Sequence, residues 1–245
     1  MFRSFLAAVQ FLTILPLPQR EIPLEEVGRS AWAFPVVGAL IGLLLVGANA
    51  LLSPLFPPAL RAALVLALWV AMTGALHLDG FVDSCDALLA ARPPETRLEI
   101  LRDTHVGAFG VVGAVMLLLI KFATLMAHLS IGRWSALLMA PPLGRWAMVY
   151  AMAHYPPARA FGMGKTVQGS VSKQTLLGAT LLTLPVLLTS PLEGLIAFVS
   201  AWGFTILFAR WLLRRVPGFT GDIYGALCES VETTILLTLA VGTGR

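Results

Sequence analysis

The sequence predicts an all-α, polytopic integral membrane helix bundle, with about seven transmembrane helices plus short cytoplasmic and interfacial helices. Three observations predict it. The chain is 58% hydrophobic and only 12% charged over 245 residues, against about 25% charged in soluble domains. Its mean hydropathy is +0.84. Its apolar residues gather into runs of the ~20 residues needed to cross a bilayer.

The predicted spans are 34–53, 60–78, 107–129, 134–154, 175–190, 193–213 and 224–242. Residues 1–16 hold Arg3 and a short apolar stretch before Pro16 and Pro18. No small-residue cleavage site follows, which argues against a removed signal peptide and for an interfacial or re-entrant segment. No repeat or low-complexity linker interrupts residues 1–245, so the chain reads as one domain. Cys85 and Cys228 form no C-x-x-C pair and read as reduced thiols.

The basic residues orient the bundle. Arg3, Arg20, Arg29, Arg92, Arg97, Arg102, Arg159, Lys165, Lys173, Arg210, Arg214 and Arg215 fall on one side; Arg61, Arg133 and Arg245 fall on the other. The positive-inside rule places the first side in the cytoplasm, in the cell inner (plasma) membrane. The net charge of +4 does not imply nucleic acid, because the cations are scattered singly with no basic stripe.

The acids are more informative. Among only 13 Asp and Glu, Asp79, Asp83 and Asp86 stand i, i+4, i+7 amid Leu, Phe, Val and Ala. On a helix, at ~100° per residue, they fall within about 40° of one another. Three carboxylates on one stripe repel, and burying them alone is costly. A hard divalent cation, Mg²⁺ or Mn²⁺, is the natural counterpart. His77 reads equally as a helix-packing residue or as a ligand or base. A short helix from Glu95 follows, ending in Glu99, Arg102, Asp103, Thr104 and His105.

Two further segments carry charge on the same side. Arg159 and Lys165 flank Gly162 and Gly164, where backbone can approach phosphate; no Walker A pattern is present. Asp222, Glu229 and Glu232 lead into the last span. They read as a second metal-binding cluster or as salt-bridge partners of Arg145 or Lys121. Arg145 and Lys121 lie inside apolar runs, where a charge costs at least ~2.5 kcal/mol. Pro141-Pro142 should break the helix before Arg145 and suit it to phosphate. Lys121 is expected to pair with a buried carboxylate or to snorkel. Together these features suggest metal-assisted phosphoryl chemistry at the membrane surface.

The motifs also resemble a known family. T-G-A-L-H-L-D-G-x-x-D-x-x-D at 73–86, R-x-x-H-V-G-x-F-G-V at 102–111, G-R at 144–145, A-R-x-x-G-x-G at 158–164 and T-G-D-x-x-G-A at 220–226 resemble cobalamin synthase, the adenosylcobinamide-GDP ribazoletransferase family. Gln10-Phe-Leu-Thr13 and Phe34-Pro-Val-Val-Gly38 extend the similarity nearly end to end. The chain departs from the family at Ile14, often a basic residue there, and at Pro217-Gly218, often Gly-Gly.

The resemblance implies transfer of adenosylcobinamide phosphate from adenosylcobinamide-GDP to α-ribazole or its 5′-phosphate, with release of GMP and dependence on Mg²⁺. It implies small-molecule substrates and a lipid bilayer as partners, and is compatible with a homo-oligomer and with other corrin-pathway enzymes. Under it, Asp79, Asp83 and Asp86 hold metal or supply the base, with Asp222, Glu229 and Glu232 as further metal ligands. Arg102, Asp103, Arg145, Arg159 and Lys165 bind substrate or phosphate, and His105 carries a proton. The rival class is a proton-coupled or divalent-cation transporter, against which stand the absence of a visible inverted repeat and the gathering of acids at one face.

Overall fold

The computed structural model describes residues 2–15, 22–103, 105–159 and 162–241. Arg20, Thr104 and Arg245, used above, lie outside the described residues. The helices are α1 Phe2–Leu12, α2 Leu24–Arg29, α3 Phe34–Leu52, α4 Pro58–Met72, α5 Leu76–Leu89, α6 Pro94–Ile100, α7 Ala108–Ser130, α8 Ser135–His154, α9 Met163–Gly169, α10 Lys173–Leu187, α11 Pro191–Leu213 and α12 Gly221–Ala240. A 3₁₀ turn, Ala31–Ala33, leads into α3. The described residues form no strand; a single bridge joins Pro157 and Phe219. The chain is thus an all-α, polytopic membrane bundle.

Of the about seven expected spans, four helical stretches among the described residues are long and apolar enough to cross a membrane by length and composition: Ala31–Leu52, α7, α11 and α12. A fifth exists if α4 and α5 count as one broken span. Residues 134–154 and 175–190 do form helices, α8 and α10, but neither meets that standard. At 1.5 Å per residue, the 15 residues of α10 reach only about 22 Å. α8 is buried along nearly its whole length among α3, α10, α11 and α12, so it needs no lipid-facing apolar surface. The lipid face is carried instead by exposed side chains such as Leu43 on α3, Leu119 on α7 and Leu195 on α11.

The Pro pair does not break α8. Pro141 and Pro142 sit inside one continuous helix. They remove the N–H donors that the Leu137 and Leu138 carbonyls would accept. α3 covers this stretch through Gly42, whose added Cβ would lie 3.0 and 2.9 Å from those two oxygens. Neighbouring backbone thus accommodates the defect, as buried helices allow.

The span expected at 60–78 is also interrupted. α4 stops at Met72, and α5 leaves it at 90°. The turn is built by Gly74 at φ 58° and Ala75 at φ 56°. A left-handed Ala is uncommon and carries strain of roughly 1 kcal/mol. The carboxylate stripe therefore lies on its own helix, running across the start of α12.

Candidate active site

Close backbone approach brings the two acidic segments together. Gly80 of α5 packs on the backbone of Asp222, where a Cβ would meet the carbonyl oxygen at 2.6 Å. One turn away, Gly225 of α12 packs on His77, with a Cβ placed 3.1 Å from its Cα. These two contacts bring Asp79 and Asp222 into the lining of one cavity. Asp83 lies close enough to feel the charges of Asp79, Asp222 and Asp86.

A second clamp delivers the cations. Phe219 N–H donates to the Pro156 carbonyl at 2.9 Å, and Ala158 N–H donates to the Phe219 carbonyl at 2.8 Å. Gly218 is required here, since a Cβ would lie 2.3 Å from the Pro156 oxygen. Of the departure at 217–218, the position that needs glycine keeps it. The clamp holds the Arg159 loop beside the start of α12. Thr220 caps that helix by accepting from Ile223 N–H at 3.3 Å. Its hydroxyl also donates to Asp222 at 3.3 Å, whose charge suits a helix N-terminus. Arg159 anchors by donating to the Leu98 carbonyl at 2.8 Å. Partial burial, with Arg102 nearby, lowers its pKa from the ordinary value.

The result is a cavity of about 370 Å³. Its polar wall carries His77, Asp79, Arg159, Lys165, Asp222 and Tyr224, and its apolar wall includes Leu76, Met148, Met152 and Phe219. Tyr155, Phe219 and Tyr224 stack in sequence, with ring centroids 5.6 and 5.1 Å apart.

Other residues of the expected site lie elsewhere. Glu229 and Glu232, expected as metal ligands, instead form a buried ionic cluster. Lys121 Nζ donates to Glu229 Oε2 at 2.5 Å and to Glu232 Oε2 at 2.6 Å. Arg145, expected on phosphate, pairs with the other oxygen of Glu232. Arg145 is 0% exposed and lines no part of the cavity. Two cations and two carboxylates cancel here, which is what buried charges require. Lys121 also sits 4.6 Å over the Trp69 ring. Its pairing with buried carboxylates matches the first of the two expectations for it.

Asp86 faces the start of α7. Its carboxylate accepts from Gly107 N–H at 2.8 Å and Gly110 N–H at 2.9 Å, serving as a cap supplied by another helix. His105 and Asp103 form an exposed pair at 2.6 Å, and the hydrogen bond with Asp103 raises the His105 pKa above its ordinary value. Neither residue, nor Arg102, lines the cavity.

Sequence reasoning did not single out Tyr224 or Phe219. Tyr224 stands inside the 220–226 motif, whose position at a helix start was the available signal. Among the described residues, no group of three or more His, Cys, Asp and Glu side chains is disposed to hold a metal ion. Two carboxylates in the lining of one cavity still fit Mg²⁺, which is commonly held by one or two carboxylates plus substrate phosphates.

Residues 4–240 match the family model described as cobalamin-5-phosphate synthase. The chain is 42% identical to the adenosylcobinamide-GDP ribazoletransferase of Desulfitobacterium hafniense, covering 96% of this chain and 95% of the relative. It is 43% identical to that of Stutzerimonas stutzeri, over 98% of both, and 38% identical to that of Geotalea daltonii, over the full length of both. No solved structure matches it. With its motifs matched nearly end to end, the chain belongs to the cobalamin-5-phosphate synthase family.

Proposed function

We propose that this protein transfers adenosylcobinamide phosphate from adenosylcobinamide-GDP to α-ribazole or its 5′-phosphate, releasing GMP. The observation that carries the reading is one cavity lined by both Asp79 and Asp222 and by Arg159 and Lys165. That pairing of acids and cations suits a pyrophosphate bound together with a divalent metal. The transferase name shared by the curated relatives agrees with it, and counts against a transporter.

The residues divide the work. Asp79 and Asp222 would hold Mg²⁺, which when bound supplies positive charge to the pyrophosphate oxygens. Arg159 and Lys165 neutralise further phosphate oxygens and orient the chain of phosphates. The proton of the ribazole hydroxyl passes to a carboxylate of the cavity lining, Asp79 or Asp222; Asp83, one turn beyond Asp79, is not part of that lining. The hydroxyl oxygen forms a bond to the phosphorus nearest the cobinamide arm. The bond from that phosphorus to the bridging oxygen breaks, and GMP leaves with the oxygen. Asp86, already holding the start of α7, serves the site structurally. The cavity opens on the cytoplasmic side of the inner membrane, where soluble substrates arrive.

The test is turnover by the purified protein in detergent micelles with Mg²⁺. GMP and corrinoid product should appear in equal amounts, and only when both substrates are present. Hydrolysis of adenosylcobinamide-GDP without transfer, or no release of GMP, would overturn the reading.

A further inference from the structure

A groove of about 390 Å³ lies between α10 and α11 and is floored by α8. It shares no residue with the charged cavity. Each helix lines it with side chains one turn apart, which share a face. α8 supplies Trp146, Tyr150 and His154. α10 supplies Leu176 and Thr180, and α11 supplies Phe198 and Trp202. Trp202 is 46% exposed, Tyr150 is half-buried and His154 is exposed. α11 has the length and composition of a membrane span. Its exposed Leu195, Val199 and Trp202 fall on one stripe, so the groove opens toward lipid.

The floor is fixed, and its indole is already satisfied. Trp146 Nε1–H donates to Thr180 Oγ1 at 2.9 Å, and the Thr180 hydroxyl donates to the Leu176 carbonyl at 2.9 Å. The Trp146 ring packs on Phe198 and Tyr150, with centroids 4.8 and 5.4 Å apart. What these rings leave to be covered is carbon, which favours a hydrocarbon chain over water or a polar ligand.

The two ends of the groove differ. At one, α10 and α11 touch: a Cβ on Gly194 would lie 2.2 Å from the Leu187 carbonyl oxygen. At the other, cations gather. Lys173 opens α10, three and seven residues before Leu176 and Thr180 and on their stripe. Arg210 of α11 lies close enough to Tyr155 for its charge to be felt there. His154, stacked on Tyr150 with ring centroids 4.2 Å apart, ends the α8 stripe. Lys173 and Arg210 are exposed, and among the described residues neither forms an ion pair. An apolar groove that ends at two such cations is complementary to an amphiphile with an anionic head.

We infer that this groove binds one anionic glycerophospholipid, with an acyl chain along Trp146, Tyr150, Phe198 and Trp202 and the headgroup phosphate at Lys173 and Arg210. A zwitterionic phospholipid is the poorer occupant. It offers the same phosphate but adds an ammonium group that the two cations repel. The site lies apart from the charged cavity and does not depend on the activity proposed for it.

The test is native mass spectrometry of the full chain in detergent micelles, titrated with phosphatidylglycerol or with phosphatidylcholine of identical acyl chains. Each cation near a headgroup is worth about fivefold in affinity. Wild type should therefore bind its first phosphatidylglycerol at least about tenfold tighter than its first phosphatidylcholine. Lys173→Gln combined with Arg210→Gln should bring the two lipids within about twofold of each other. Leu176→Trp, which fills the groove, should weaken the first binding of both. Tryptophan fluorescence locates the chain: acyl-brominated phosphatidylglycerol at one lipid per protein should quench wild type more than Trp202→Phe. Equal affinity of wild type for the two lipids would show only unselective solvation by lipid and overturn the inference. A preference kept by the double variant, or equal quenching in Trp202→Phe, would place the lipid elsewhere and do the same. A dimer that excludes lipid and is lost in Leu176→Trp would make the groove a contact between copies and overturn it as well.

Discussion

Glu232→Gln tests whether the intramembrane charges form a balanced unit. Glu232 has no exposed side-chain surface and serves two cations, Lys121 and Arg145. Glu229 is in reach of Lys121, and among the described residues no ion pair joins it to Arg145. The substitution keeps an amide oxygen that can still accept from Arg145 but leaves its guanidinium without a paired negative charge among the described residues, its other partners being the Pro141 carbonyl at 3.3 Å and the His77 ring. Removing one partner of a buried pair costs about 3–5 kcal/mol. For a chain of this size that is a fall in melting temperature on the order of 10 °C. The six tryptophans give a fluorescence signal for thermal unfolding in micelles. The double variant Arg145→Met with Glu232→Gln removes the stranded charge and leaves Lys121 on Glu229, so it should regain at least half of the lost stability. A single variant within about 1 kcal/mol of wild type, or a double variant whose loss equals the sum of both singles, would refute the argument.

Two other predictions concern carboxylates outside that cluster. Asp86→Asn should lower stability by about 1–3 kcal/mol, because one oxygen accepting Gly107 or Gly110 N–H becomes an amide that cannot, whereas Asp79→Asn should leave melting unchanged and abolish GMP release; the opposite assignment of losses would exchange their roles. His105, whose pKa is raised by Asp103, should titrate above its ordinary midpoint in ring-proton NMR. The pairing contributes while His105 is protonated and is lost as pH rises through that raised midpoint; Asp103→Asn should return the midpoint toward normal, and an unshifted midpoint would show that Asp103 is not the cause.

What could be read from the residues follows from how local each constraint is. The i, i+4, i+7 spacing of Asp79, Asp83 and Asp86 dictated a helical stripe, and α5 is that helix. The stripe did not say that its last member would turn to the backbone of α7, because Gly107 and Gly110 lie 21 and 24 residues further on. Glycines there read as small contact residues; the structure shows that a Cβ at Gly110 would sit 2.3 Å from the Asp86 carboxylate. The reading of spans shows the same limit. Residues 134–154 do form a helix, but its burial among α3, α10, α11 and α12 is set by other segments and could not be read from its own residues.

The same distinction separates acids that bind from acids that hold. Glu229 and Glu232 looked like a metal cluster because one-dimensional spacing reveals which carboxylates share a stripe and not what stands opposite. Opposite Glu232 stand two cations from two other helices; opposite Asp79 and Asp222 stands a cavity. A buried carboxylate with its own cation is already neutralised and has little to offer a metal. A carboxylate that lines a cavity without an ion pair of its own can still be met by what enters. The two glycine contacts, Gly80 on Asp222 and Gly225 on His77, decide which acids fall into which class, because they set how far α5 crosses the start of α12. A side chain at Gly80 would push Asp222 away from Asp79 while leaving the ionic cluster, two turns deeper on α12, intact. On the proposed function, chemistry and stability thus occupy different stretches of one helix.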